Sequence, residues 1–251
     1  MSLLKVDNLS IVFGGVKAID DLSFTIEPGK IHSIIGPNGA GKTTLFNLIT
    51  GVYTPTTGTV LYENEGVTGF KSYELAARGM SRTFQNLQIF FNMTAIENVM
   101  VGAHLHLNRG FFASFFGLPT IKEGDRHCRE TCLELLDFVG LRHYADTDTD
   151  SMPYGALKRL EIARALASKP KILLLDEPAA GLNPAESREI DEVIKKVAER
   201  GITVVLVEHD MKMVMEISDH ILVLDYGRKL TEGTAQEVRN NPDVIAAYLG
   251  G

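Results

Sequence analysis

An α/β fold is predicted for this chain, with a mainly parallel sheet at its centre, an antiparallel β subdomain at its N-terminus and an α-helical subdomain inserted into it. Three observations carry that expectation. Lys30–Ile35, Lys171–Leu175 and Ile202–Val207 are short apolar runs, largely branched, each followed by polar or glycine-rich residues or by a helical pattern. Runs of that length without polar alternation belong to strands buried on both faces, as in parallel sheets. Helical patterns lie among them, at Lys42–Thr50, Ala156–Ala167 and Pro184–Arg200, the last opening on a proline that suits a first helical turn. In the opening third, Leu3–Phe13 and Leu22–Ile26 alternate, with Pro28-Gly29 as a turn, which is the pattern of antiparallel strands.

At 251 residues, 45% of them hydrophobic and 23% charged, the chain suffices for one globular domain with a smaller lobe. Residues 86–160 look mostly helical and are expected to form that lobe, with 1–85 and 161–251 as the core and its β subdomain. A formal net charge of −7 opposes a primary role on nucleic-acid phosphates or anionic lipid, both of which favour basic surfaces. No run nears the roughly 18 apolar residues of a spanning helix, and Met1–Asp7 lacks a basic stretch followed by a long apolar one. The expectation is a cytosolic protein whose membrane link runs through another protein. Cys128 and Cys132 share a face of a helical segment without further metal ligands, so they read as free thiols.

Gly36-Pro37-Asn38-Gly39-Ala40-Gly41-Lys42-Thr43 fits the pattern G-x-x-x-x-G-K-[ST] between a predicted strand and a predicted helix. Glycines let the backbone curl so that successive N–H groups converge on a β-phosphate, and the positive end of the Lys42 helix adds to the attraction. Lys42 would neutralise β and γ oxygens and Thr43 would ligate Mg²⁺, within a nucleotide-binding set running from Gly36 to Thr44. The alternative is a plain glycine-rich corner. Ile172–Leu175 ends in Asp176 and Glu177, and alternation along a strand points these two in different directions. Asp176 would hold Mg²⁺ through water and Glu177 would address the attacking water; a capping carboxylate before Pro178 is the other reading. Kinases and small GTPases share a cradle and an acidic strand, so these motifs give nucleotide binding without the type of machine.

With further motifs in order, the chain resembles the ATPase subunits of ATP-binding-cassette transporters over essentially its whole length. Gln85, in Thr83-Phe84-Gln85-Asn86, resembles the family's glutamine loop, which implies Mg²⁺ ligation and a link between lobe and core. Met152-Pro153-Tyr154-Gly155-Ala156 and the helix after it resemble the signature motif, with Pro153 in place of a serine and Ala156 in place of a glutamine. The Gly155 amide and the helix N-terminus remain, implying a retained but weakened contact to the γ-phosphate held by an opposite subunit, and slow hydrolysis or an asymmetric partner. Ala180-Gly181-Leu182-Asn183 resembles the D-loop, with Asn183 where aspartate is usual. His209 resembles the switch histidine at the γ-phosphate. Phe13 matches the aromatic that stacks on adenine, a core phenylalanine being its competitor. The resemblance thus implies ATP and Mg²⁺ as ligands, Lys42, Gln85, Glu177 and His209 as the catalytic set, and Thr43, Gln85 and Asp176 at the metal.

Arg82-Thr83-Phe84-Gln85, the Tyr154-Gly155 signature, Leu160–Arg164, Asp176–Pro184 and the ending Asn240–Gly250 are similar to ATPases of branched-chain amino acid importers. That branch implies uptake of leucine, isoleucine and valine through two integral membrane permease subunits. It also implies a second related ATPase, an extracytoplasmic substrate-binding protein, and a place on the cytoplasmic face of the membrane held by protein contacts. Importers of urea, short amides or other amino acids use similar subunits, so the solute stays open. A soluble cassette of translation or DNA repair would carry tandem cassettes or long coiled insertions, and neither appears. Phe111-Phe112-Ala113-Ser114-Phe115-Phe116 would pack on the membrane subunit or pad the core of the lobe.

Overall fold

In the structure, a computed structural model, residues 2–106 and 119–249 are described, and the aromatic run at 111–116 lies outside them. The strands are β1 (Leu4–Phe13), β2 (Val16–Ile26), β3 (Ile31–Ile35), β4 (Thr57–Tyr62), β5 (Glu65–Gly66), β6 (Met80–Arg82), β7 (Ile172–Asp176), β8 (Thr203–Val207), β9 (His220–Asp225) and β10 (Arg228–Gly233). The helices are α1 (Lys42–Ile49), α2 (Ser72–Ala77), α3 (Ala95–Gly102), α4 (Pro119–Phe138), α5 (Tyr154–Ala167), α6 (Pro184–Glu199), α7 (Met211–Ile217), α8 (Ala235–Arg239) and α9 (Pro242–Leu249). Two compact units result: residues up to Arg82, Lys171–Pro178 and residues from Ile194 onward make the first, Thr83–Pro170 and Ala179–Val193 the second.

The first unit holds both sheets. The larger runs β10-β9-β3-β8-β7-β6, parallel at every pairing except β9 with β10. β3, β7 and β8 are buried at every residue, which is why their sequences carry no polar alternation. The smaller sheet, β2-β1-β4-β5, is antiparallel throughout. Its first hairpin alternates imperfectly, because the β1–β2 register shifts after Val6, after Leu9 and after Ile11. At the first shift Asn8 has φ 47° and its side-chain amide donates to Asp21 Oδ1 at 2.8 Å. Such bulges reset which face a residue meets, so β2 begins at Val16 although the sequence pattern shows it only from Leu22.

Helix α1 lies in one core with both sheets. Leu45, Phe46 and Ile49 are buried with Leu4, Leu9, Ile19 and Leu22 of the small sheet and Ile34, Leu174 and Val205 of the large one, each contributing about 1.5–3 kcal/mol of hydrophobic stabilisation. A separate cluster joins Ile35, Ile221 and Val223 to Val214, Val238 and Val244 of α7, α8 and α9. The glycine segment between β3 and α1 is therefore anchored at both ends by buried elements.

In the second unit α3, α4 and α5 pack on one another. Gly102 permits the approach of α3 to α5, since a Cβ there would lie 2.0 Å from Arg164 O. Asn98 is fully buried and holds the segment before α3, accepting from Phe90 N–H at 2.9 Å and donating to the carbonyls of Phe90 and Thr94. Cys128 and Cys132 are free and buried. Burial, with the neighbouring Cys128, pushes the Cys132 thiol up to about 12, leaving it the inert, protonated form. Among the described residues no helix is long and apolar enough to cross a membrane.

Candidate nucleotide site

The chain leaves β3 at Ile35 and turns through Gly36, Gly39 and Gly41, with φ of 153°, 82° and 99°. Two of these positions have no room for a side chain: a Cβ on Gly36 would sit 2.2 Å from Leu224 O, and one on Gly41 2.8 Å from Ala18 O. Gly39 meets nothing within 4 Å, and with Asn38 it forms the exposed crest of the loop. Gly227 N–H donates to Ala40 O at 3.0 Å, tying the loop to the turn after β9. Lys42 folds back across the loop, donating from Nζ to Gly36 O at 2.7 Å and Pro37 O at 3.0 Å. Its burial lowers the ammonium pKa, an effect opposed by the nearby charges of Glu177 and Asp176.

Helix α1 begins at Gly41 with no side-chain cap and no acidic residue in its first turn. Its leading N–H groups and the positive end of its dipole thus meet no capping side chain and no acidic side chain of the first turn. Thr43 is exposed and Thr44 half-buried in that first turn.

The acidic pair stands at the end of β7, two strands from β3 through β8. Asp176 is 4% exposed and accepts from Arg82 Nη2 at 2.9 Å. Glu177 has φ 50° while its N–H donates to Val207 O at 2.9 Å. This left-handed backbone, uncommon for a residue with a side chain, turns the carboxylate away from Asp176, and His209 Nε2 donates to its Oε1 at 2.7 Å. His209 is positioned by its neighbours: its own N–H donates to the buried Glu208 carboxylate at 3.1 Å, and Asp210 caps α7 by accepting from Lys212 and Met213. Phe13 ends β1 with 45% of its surface exposed and stands edge-on to Tyr53 at 5.3 Å, so it is not a core residue.

The first unit thus brings together Gly36–Thr44, Asp176, Glu177 and His209, and also carries Phe13. Gln85 and Gly155 belong to the second unit. Gln85 is exposed and its carbonyl accepts from Lys158 Nζ at 3.3 Å. Beneath it lies Glu161, whose burial raises its pKa against the pull of Lys158 and Arg164, and which accepts from Gln88 N–H at 3.4 Å. Helix α5 starts after Pro153 with no side-chain cap. Gly155 is buried beneath α6: a Cβ there would lie 2.7 Å from Glu186 Oε1. Asn183 caps α6, accepting from Ala185 N–H at 2.9 Å and Glu186 N–H at 3.1 Å, while Glu186 accepts from Asn183 N–H at 3.0 Å. Asparagine serves in this capping box as well as aspartate would.

Sequence reasoning does not pick out Arg82 and Glu208 beside the first unit's functional residues, nor Glu161 in the second unit. Arg82 appears in the sequence only as part of a family-like tetrapeptide, and its partner is far along the chain. The buried Glu208 had a local signal, a carboxylate directly after the apolar run of β8.

A glycine cradle spanned by a buried lysine, with a carboxylate pair on a nearby parallel strand, defines a P-loop nucleotide-binding protein. Comparison with known proteins refines this. The ABC transporter family model matches residues 19–180, and a model described as branched-chain amino acid ATP-binding cassette transporter matches residues 228–251. The chain is 45% identical over 249 residues to the high-affinity branched-chain amino acid transport ATP-binding protein BraF of Pseudomonas aeruginosa, covering 99% of this chain and 98% of that one. It is 44% identical, with the same coverage, to the transport ATP-binding protein LivG of Escherichia coli K12. A nucleotide-free ATP-binding cassette from an ABC transporter superposes over the full length of both chains with TM-score 0.86 at 32% identity. The chain belongs to the ABC transporter family, as one of its ATP-binding cassette ATPases.

Proposed function

We propose that this chain is the ATP-hydrolysing subunit of an importer for leucine, isoleucine and valine. The observation that carries the reading is the near-complete match to BraF and LivG, both named for branched-chain amino acid transport, together with the terminal match at residues 228–251. The permeation path would be supplied by two integral membrane subunits, with a second related ATPase opposite this one and an extracytoplasmic binding protein delivering the solute. The chain would sit on the cytoplasmic face, held by those protein contacts.

The cradle fits a triphosphate. The uncapped start of α1 supplies N–H donors, Gly39 leaves its crest clear, and Lys42 is held by two carbonyls from which phosphate oxygens can draw it. Phe13, exposed at the end of β1, would stack on the adenine. Thr43 and Asp176 offer hard oxygen donors that suit Mg²⁺, and by the family resemblance Gln85 would add its side-chain oxygen. When bound, Mg²⁺ would neutralise charge on the β- and γ-phosphate oxygens. Glu177 would take a proton from the water that attacks the γ-phosphorus, giving ADP and phosphate, while His209 holds that carboxylate in place and would lie near the γ-phosphate. Gly155, at the uncapped start of α5, would meet the γ-phosphate bound by the opposite ATPase.

The test is uptake of radiolabelled leucine by source cells lacking the gene, complemented with wild type or Glu177→Gln. Restoration by wild type alone, at equal protein levels, is the expected result. Normal leucine uptake without the gene overturns the solute and makes urea the next one to assay.

A further inference from the structure

Arg82 ends β6 next to β7, where it is the register partner of Leu174. Its guanidinium is 8% exposed, and Nη2 donates to Asp176 Oδ2 at 2.9 Å. The other terminal nitrogen is held from α1 and the residue that ends it: Nη1 donates to Asn47 Oδ1 at 2.7 Å and Thr50 Oγ1 at 3.0 Å. Thr50 gives its own hydroxyl proton to Phe46 O at 2.6 Å, so toward Arg82 it acts as acceptor. The Phe46 ring lies 5.5 Å from the guanidinium carbon. One planar side chain therefore ties the far end of the cradle helix to the acidic tip of β7. Lys42, the other cation near Asp176, has its donors on Gly36 and Pro37 instead.

We infer that Arg82 is a positioning residue for the divalent cation, orienting the Asp176 carboxylate and supplying its counter-charge before Mg²⁺ arrives. The inference rests on the reading of Asp176 as an Mg²⁺ residue. A carboxylate buried this deeply needs a paired charge. Arginine supplies it in a fixed plane with separate donors for α1 and β7, a geometry that the single ammonium of lysine lacks. Arg82 donates to Asp176, Asn47 and Thr50 rather than to the Gly36–Thr44 loop, so its loss should change how well Mg²⁺ is used and leave the phosphate cradle intact.

The experiment is binding of a fluorescent ATP analogue to the purified full chain, titrated with Mg²⁺ and repeated in EDTA. Arg82→Gln raises the Mg²⁺ concentration for the half-maximal gain in affinity about tenfold, the loss of one charge-assisted hydrogen bond. Arg82→Lys recovers that only in part. Affinity in EDTA stays at the wild-type value for both. Thr50→Val keeps Arg82 and Asp176 but deletes one acceptor, and moves the midpoint the same way by about twofold; it decides the matter should Arg82→Gln not fold. An unmoved Mg²⁺ midpoint in the folded variants, or equal weakening with and without Mg²⁺, overturns the inference. Asp176→Asn separates the two readings. It should erase the Mg²⁺-dependent gain; a retained gain overturns the role of Asp176 itself, while a lost gain beside unmoved Arg82 and Thr50 variants overturns the role of Arg82 alone.

Discussion

Two kinds of helix start coexist in this molecule. Helices α3, α6, α7 and α8 are closed by their own side chains: Thr94 with Glu97, Asn183 with Glu186, Asp210, and Thr234 with Glu237. Helices α1 and α5 begin at Gly41 and Pro153 with no side-chain cap. A helix leaves its first N–H groups without partners, and a cap satisfies some of them at a gain of about 1 kcal/mol. Among the described helix starts whose N-cap side chain makes no capping bond, which include α2 after Lys71, are the cradle helix and the helix of the signature-like segment. The contrast teaches where stability has been given up: the self-capped starts serve the fold, and those of α1 and α5 leave N–H donors that a phosphate could take.

The largest effect should come from emptying the α1 start of its charge. Lys42→Ala removes charge-assisted bonds typically worth about 1.5–3 kcal/mol each, so ATP affinity should fall about a hundredfold or more. The burial that lowers the Lys42 pKa means the fold gains little from its charge, and the midpoint of thermal unfolding without nucleotide should barely move. Equilibrium nucleotide binding and a melting curve on one preparation check both halves; a large loss of stability would break the contrast.

Next in size is conversion of α5 toward a capped start. Pro153→Ser supplies the hydroxyl that the segment lacks, and steady-state phosphate release by the assembled ATPase pair should rise about tenfold, corresponding to one charge-assisted bond. The effect should depend on the pair. If the same gain appears in the isolated chain, the hydroxyl is acting as an ordinary cap.

The smallest effects belong to the closed starts. Asn183→Ala or Thr94→Ala should each cost about 1 kcal/mol in denaturant unfolding, whereas Asn183→Asp should be close to neutral. None of the three should change nucleotide affinity by more than about twofold, since the caps they open belong to the fold. A selective effect of Asn183→Asp on hydrolysis would sharpen the comparison differently, by showing that the D-loop position does more than cap α6.

Much of this arrangement is legible along the chain. The cradle is a contiguous pattern between β3 and α1, and the acidic pair directly follows the apolar run of β7, so neighbours in sequence are neighbours at the site. β9 carries a similar run, Ile221–Leu224, yet was not among the expected strands, and β6, at three residues, is too short to carry a period. Asn183 and Glu186 have capping-box spacing, and the same stretch resembles a D-loop, so by sequence alone the position fits either role. Phe13 could be core or ligand-facing by sequence, because an aromatic at a strand end fits both; its exposure excludes the core.

By itself the sequence determined which residues can meet a phosphate, since glycine backbones, a lysine and a helix start act within a few residues of one another. It also determined the buried parallel strands, whose largely apolar and branched character follows from having no solvated face. The tertiary structure alone decided the partners of the charged groups. Arg82 reaches Asp176 because β6 pairs with β7, and His209 reaches Glu177 because β7 and β8 end together, with Asp176 beside Val207. Strand register brings together groups that are remote along the chain, and hydrogen bonds between them depend on distances that local sequence patterns do not encode.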